Sequence, residues 1–454
     1  MRLHFILATL VAVAAGATFA APRNNIGINV LLNTDVTDAL VSDLSQYGRV
    51  GNKLLSIDAL TMSIEESQLE AIRALPYVAA ANPDAERNGA PVDTLTATNF
   101  ASGFNTWDND AINVTQFGTL ARQVPFDGSG VYVAVLDTGL LDSWRQYFPQ
   151  ERIATQFAKA FSGGGGFNGN VSEPTNKWEH DQNSHGSHVT STVLGYQFGV
   201  NPINGVAPRA TVIPVKVLNQ NGSGWSSVIA RGITYIADLK NSGALGGAPV
   251  VINMSLGGSV LDAVEKAAVD HAVASGVIIV ASAGNNGNAG MGFPGAYAPV
   301  ISVAAAGWNG QWAPAGNNGW WNNRDVPESA GAEQFHIATF SSRQKAGQDL
   351  DVVAPGSWIV GPYQVNSGQT SYFFLSGTSM SAPHVAGIAA LMMQKNPSLT
   401  QGMVETLLEG AAKPMAAGCV VVRLPGTATQ NICWGADAVG AGFITADAAL
   451  AVTP

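Results

Sequence analysis

Val131-Tyr132-Val133-Ala134-Val135-Leu136-Asp137-Thr138-Gly139 is the stretch whose reading decides the fold of this chain. Six apolar residues run without polar alternation and stop at an acid and a glycine. A strand that is apolar on both faces must be covered on both, the condition of a parallel sheet between two layers of helices. Thr211 to Val217, Val250 to Met254 and Val277 to Ala283 read the same way. His185 to Phe198, Ser226 to Leu239 and Leu261 to Ser275 lie between them and are long enough for helices. Strand and helix in alternation predict an α/β domain with a doubly wound parallel sheet. Chemistry in such a sheet collects at the carboxyl ends of the strands.

Composition narrows the class. The chain has 454 residues, of which 12% are charged and 46% hydrophobic, with 51 glycines. Charge is about half that of an average domain, where roughly 25% is usual, so a large turn-rich core is expected rather than disorder. A net charge of -10 and the absence of a Lys/Arg cluster exclude a nucleic-acid partner. Two cysteines cannot build a four-thiolate zinc site.

The first twenty residues read as a signal peptide. Arg2 opens it, Phe5 to Ala15 is an apolar run too short to span a bilayer, and Thr18-Phe19-Ala20 offers a cleavage site. The protein is therefore expected to be secreted, without a membrane span. Residues 21–95 form a second unit of different composition. Ile26 to Leu32 and Leu54 to Met62 read as strands, Val36 to Tyr47 as a helix. Ser63 and Glu66 form a capping box for a helix up to Leu75, and Tyr77-Val78-Ala79 is a last strand. The order β-α-β-α-β suits a small sandwich of the split-βαβ type. Residues 82–105 read as an exposed polar linker, and 106–454 as the main domain.

Three segments carry chemistry. Asp137 closes the first strand. His185 follows Asp181-Gln182-Asn183-Ser184 at the start of a helix. Ser379 opens the almost wholly apolar helix that runs to Met393. Each alone would be a turn, loop or cap residue. Together they supply a hydroxyl, a base to take its proton and a carboxylate to hold that base in one tautomer. Attack on a carbonyl also needs a donor for the oxyanion. The strand Val277 to Ala283 leads into Gly284-Asn285-Asn286-Gly287, which taken alone would be a turn.

Asp137-Thr138-Gly139, His185-Gly186-Ser187-His188 and Gly377-Thr378-Ser379-Met380-Ser381-Ala382-Pro383 resemble the three signatures of the subtilisin-like serine proteases, in the chain order Asp, His, Ser. The resemblance covers residues 106–451 and implies a serine endopeptidase acting on protein and peptide substrates. It implies catalytic roles for Asp137, His185, Ser379 and Asn285. It also implies a substrate cleft lined by Asn183, Ser255-Leu256-Gly257 and Ala283-Gly284, with Gly292 as the pocket floor. Small walls without a carboxylate predict a preference for large apolar residues before the cut. Position and the β-α-β-α-β order make residues 23–90 resemble the family's inhibitory propeptide, the chain's own intramolecular inhibitor. The alternative is a catalytically silent binding protein of the same fold; its mark would be a missing triad residue, and none is missing. No cofactor is expected for catalysis. Relatives hold structural calcium near the counterpart of Gly195 to Gly205, but this stretch has no acid, so no metal is assigned. The chain is expected to be a monomer. Activity should fall as pH drops through about 6.5, the ordinary value of a histidine, since a protonated base accepts nothing.

Cys419 and Cys433 follow a secretion signal and are expected to form a disulfide. The closed loop of 14 residues (433 − 419) would stabilise by roughly 3 kcal/mol. Trp308, Trp312, Trp320 and Trp321 fall in a long segment, 307–337, that reads as a surface loop with its own aromatic cluster or as an extra substrate-contact lobe.

Overall fold

A computed structural model describes residues 25–96, 106–116, 121–165, 170–198, 201–312, 326, 329–363, 371–425 and 428–454. The signal-peptide stretch, Trp320 and Trp321 lie outside the described residues.

The main sheet has eight strands. From one edge its order is Phe335–Ile337, Ile301–Trp308, Val277–Ser282, Val250–Met254, Tyr132–Asp137, Thr211–Lys216 and Lys159–Ala160, with Val352–Pro355 also paired to Ile301–Trp308. All these pairings are parallel except the edge strand Phe335–Ile337. The apolar runs of the sequence are these central strands, and Val250–Met254 and Val277–Ser282 are buried at every position. Helices cover both faces, as a doubly wound sheet requires. Tyr132–Asp137 lies between Thr211–Lys216 on one side and Val250–Met254 on the other. From Tyr132–Asp137 the chain goes on to Lys159–Ala160 on one side of the sheet, and from Val250–Met254 to Val277–Ser282 on the other, so the carboxyl ends of these two neighbours form a topological switch point with a crevice. The helix after His185 is shorter than its apolar pattern: it ends at Leu194, and Gly195–Phe198 turns back as a strand against Asn201–Asn204. Gly195 ends it, at φ 74, a conformation in which a Cβ is strained.

The helix Thr378–Lys395 passes through the middle of the domain, and its first sixteen residues, Thr378 to Met393, are all buried. A helix apolar all round can only be a core helix. Its N-terminus, and with it Ser379, cannot shift without moving that core.

Residues 25–83 fold around a core of their own, with Ile28, Val30, Leu60, Met62, Ile64 and Ile72 buried together. The elements run β-α-β-β-α-β, not β-α-β-α-β. The stretch read as one strand around Leu54 to Met62 is two, Gly48–Leu54 and Ala59–Glu65, paired antiparallel. Asp58 at φ 50 makes the reversal between them. The sheet order is Gly48–Leu54, Ala59–Glu65, Asn25–Leu32, Val78–Pro83. Side chains alternate along Asn25–Leu32, so Ile28 and Val30 enter this core while Asn29 points the other way. Asn29 donates to Asp262 Oδ2 at 2.7 Å, a residue of the main domain.

The two units are joined through helix N-termini. Asp262 caps Ala263–Ala274, accepting from Val264 N and Glu265 N. Asp84 accepts from Ser227 N at 2.9 Å, at the start of Ser226–Asn241. A carboxylate at a helix N-terminus meets unpaired N–H groups and the positive end of the dipole. Arg87 is fully buried and donates from Nε to Glu265 Oε1 at 3.1 Å.

The reading of 82–105 as an exposed linker is corrected where the residues are described. Glu86–Asn88 pairs with Ser223–Trp225, and Asp93–Thr96 pairs with Tyr372–Ser376. Polar residues mislead here because the strand is held through its backbone, which leaves no apolar alternation to read.

Candidate active site

Asp137 and His185 meet at the switch point. Both are fully buried, and His185 Nδ1 lies 2.8 and 3.0 Å from the two Asp137 carboxylate oxygens. A carboxylate can only accept, so Nδ1 carries a proton, and in the neutral ring Nε2 then holds the lone pair. Nε2 has no hydrogen-bond partner among the described residues. Thr138 N donates to Asp137 Oδ1 at 2.7 Å and fixes the carboxylate plane.

The loop before His185 is tied to the same strand end by groups that the motif reading did not assign. Asp181 accepts from Thr138 Oγ1 at 2.7 Å, Asn183 N at 2.8 Å and Ser184 N at 2.9 Å. Thr138 Oγ1 in turn accepts from Gly186 N at 2.8 Å. Ser184 is held at φ 77, a strained position for a residue with a Cβ. Burial pushes the Asp181 carboxyl up to about 6, against the pull of Lys216 and these donors. The legible signal was an acid two residues before Asn183, the spacing at which Asp bonds its own backbone. His188 is a separate case. Burial, with His185 nearby, pushes it down to about 3, and its Nε2 donates to the Ile359 carbonyl at 3.1 Å. It stays neutral and structural.

Ser379 stands at the start of the central helix. Its hydroxyl donates to the Ser255 carbonyl at 3.2 Å, while Ser255 Oγ donates to the Ser379 carbonyl at 2.7 Å. Among the described residues, no hydrogen bond joins the Ser379 hydroxyl to His185 Nε2. Asn285 is oriented by its neighbours. Thr378 N and Thr378 Oγ1 both lie 2.9 Å from Asn285 Oδ1, so the oxygen faces that turn. The amide nitrogen then faces the other way, and a Cβ on Gly377 would lie 3.5 Å from it. An N–H₂ donor beside the Ser379 turn is what a developing oxyanion needs.

The remaining cleft residues converge on the same place. Gly292 N donates to the Ala283 carbonyl at 2.9 Å, and Gly258 and Phe293 exchange both backbone bonds, at 2.9 and 2.7 Å. A Cβ on Gly292 would sit 3.7 Å from the Gly257 Cα, in ordinary contact. Ala283 and Leu256 are buried, and Gly284 sits at φ +104. Asn183 Nδ2 donates to the Gln220 carbonyl at 3.1 Å, next to the Gly222 edge of the cleft.

That edge and the Gly257 edge hold a third strand between them, from this same chain. Asn88 and Gly257 exchange two backbone hydrogen bonds of 2.9 Å, and Gly89 N donates to the Gly222 carbonyl at 2.8 Å. Further on, Val92 N donates to the Ser376 carbonyl at 2.6 Å. Ala90 and Pro91 make the step between. The cleft therefore binds an extended backbone by strand addition.

Cys419 and Cys433 form a disulfide across the hairpin Gly418–Arg423 and Thr429–Trp434, with their Cα atoms 4.1 Å apart. Apart from the cleft, Asp349, Asp351 and Glu405 bring carboxylate oxygens within 4.8 Å of one another, oxygen ligands of the kind that suit a hard cation. Burial and the neighbouring acids push Asp351 and Glu405 each up to about 7. No helix among the described residues is long and apolar enough to cross a membrane.

A mostly parallel α/β sheet with Asp137 and His185 joined at its switch point, and Ser379 at the start of the buried central helix, has the subtilisin-like architecture. Residues 128–435 match the subtilase family, peptidase S8, and the chain belongs to that family of serine proteases. It is 33% identical to alkaline elastase YaB of Bacillus sp. (strain YaB), over 78% of this chain and 74% of the relative. It is 35% identical to subtilisin DY of Bacillus licheniformis, over 63% of this chain and 85% of the relative. Among solved structures, fervidolysin from Fervidobacterium pennivorans shares the fold with a TM-score of 0.66 at 22% identity, covering 95% of this chain and 62% of that one. Sphericase matches with a TM-score of 0.54 at 29% identity, over 76% of this chain and 99% of that one.

Proposed function

We propose that the chain is the precursor of a secreted serine endopeptidase. Ser379 is the nucleophile, His185 the general base and then acid, Asp137 the orienting carboxylate, and Asn285 with the Ser379 N–H the oxyanion donors. The observation that carries this reading is the strand Glu86–Asn88, which pairs in the cleft as a substrate backbone would and runs on to Val92, whose N–H bonds the Ser376 carbonyl. A serine-directed phosphonyl or sulfonyl reagent tests it. One equivalent should attach to Ser379 as peptidase activity disappears. Inhibition by thiol reagents alone would refute the assignment.

Residues 25–83 act as the intramolecular inhibitor, since their docked tail delivers residues 84–96 to the cleft at high effective concentration. The first cut is made by the enzyme itself within that tail. Pro91 slows it, because the leaving nitrogen of an Ala90–Pro91 cut is crowded by the ring Cδ where His185 must deliver a proton. Pro91→Ala should shorten the half-life of the precursor on a gel time course; an unchanged half-life would place the first cut elsewhere.

Specificity before the cut follows from Gly257, Ala283, Gly284 and Gly292, which bring no charge to the pocket. A charged side chain would lose its hydration without a partner. Space for a Cβ at Gly292 means that Gly292→Asp can place a carboxylate there. Cleavage maps of a denatured protein mixture should move from large apolar residues toward Lys and Arg. A wild type that cuts only after basic residues would overturn the pocket assignment.

A further inference from the structure

The structure places a cavity of about 490 Å³ beside Asn285, with neither Gly257 nor Gly292 in its lining. Val92 and Asp93 of the threaded segment line it. Its far walls come from two parts of the chain that the catalytic reading leaves unused: Trp308 and Trp312 of the long Trp-rich segment, and Val422 and Ile432 of the disulfide-closed hairpin.

These walls are built, not incidental. The rings of Trp312 and Trp358 meet edge to face at 6.0 Å, and Trp312 packs on Phe374 at 5.3 Å. Gln311 Nε2 donates to the Trp358 carbonyl at 2.9 Å and ties the Trp-rich segment to the cleft rim. Trp358 is held at φ 59, where a bulky residue is strained and persists only if its surroundings over-determine it. Its N–H donates to Ser376 Oγ at 3.0 Å, on the residue whose carbonyl receives Val92 N. Across the cavity the hairpin turns Val422 and Ile432 inward, both nearly inaccessible, while Val421, the residue before Val422, is exposed. The Cys419–Cys433 bond keeps the two hairpin strands together at their base.

We propose that this cavity is a second specificity pocket, which takes a large aromatic or apolar side chain from the second or third residue after the cut. The inference rests on the peptidase reading and deepens it. The occupant is a peptide because one already lies there: with the cut at Ala90–Pro91, Val92 and Asp93 are those two residues. Neither matches the walls. Val92 is 46% exposed, and burial raises the Asp93 carboxyl above its ordinary value. An aromatic ring would gain stacked or edge contacts with the tryptophans that valine and aspartate cannot make. A weakly matched occupant suits a segment that must eventually leave.

The test uses the protein expressed as the full chain and left to process itself. Quenched peptides identical up to the cut carry Phe, Leu, Gly or Asp at the second or third position after it. A p-nitroanilide that ends at the cut serves as the reference, since it has nothing to place in the cavity. Phe should exceed Gly in kcat/KM by about tenfold at one of the two positions, the size of a well-made aromatic contact with its buried area. Trp312→Ala, and separately Val422→Gln, should bring that ratio toward one. Equal rates for all four residues at both positions, with the anilide still hydrolysed, would overturn the proposal and spare the peptidase reading. Failure to cut either the peptides or the anilide would overturn both. Retention of the full ratio in both variants would remove these walls from the pocket.

Discussion

Ser379→Ala should lower peptidase activity by about 10⁶, a magnitude borrowed from subtilisin itself and not particular to this chain. The fold should be unchanged, since alanine keeps the helix start and, among the described residues, the side chain gives up one hydrogen bond, to the Ser255 carbonyl. The same substitution reports on maturation. The wild type should accumulate as a chain beginning within residues 84–105. The variant should accumulate as a larger form beginning near Ala21, with the first domain still docked through Arg87–Glu265 and the Asp84 and Asp262 caps. Intact mass and N-terminal sequencing separate the two. If both proteins are trimmed alike in a host without proteases of its own, another enzyme does the processing. Full activity in the variant would remove Ser379 from the mechanism.

Asp137→Asn should cost about 10⁴ in kcat near neutral pH, while leaving KM and the fold largely in place. An amide is nearly isosteric, but its NH₂ group offers donors where a carboxylate only accepts. His185 Nδ1 now lies against both carboxylate oxygens, so its proton has one place to be. Against an amide the imidazole can settle in the other tautomer, with Nε2 protonated and useless as a base. The imidazolium formed during attack also loses its counter-charge at a fully buried site. Steady-state kinetics decide it. A loss shared equally with KM would mean that Asp137 acts on binding instead.

The central sheet and the three signature positions were legible because they rest on local rules. Continuous apolar strands declare a covered sheet, and a fully apolar helix after Ser379 declares a core helix. The first domain was read one strand short, because the reversal at Asp58 uses no glycine or proline. The passage of 86–96 through the cleft could not be read from its residues. Arg87 looks like a solvated linker charge and is instead buried on Glu265, a residue 178 positions away. A pairing that distant leaves no local trace, and strand addition through the backbone selects no side-chain pattern. Asp181 was visible as a residue but not as a support, because its role depends on Thr138, 43 positions earlier.

The helix that carries Ser379 packs against the strands Val250–Met254, Val277–Ser282 and Ile301–Trp308 and the helix His185–Leu194, so it belongs to no detachable part of the domain. Amides along it should exchange with deuterium only when the whole domain opens, since no smaller opening exposes them. Inactivation by heat or denaturant and global unfolding should then be one event, read at the same midpoint by activity and by circular dichroism. Truncating Leu391, far from the chemistry, would cost about 2–5 kcal/mol and move both midpoints together. Such an enzyme has no half-active partly melted form, and a molecule that still cuts is a molecule still folded to its centre.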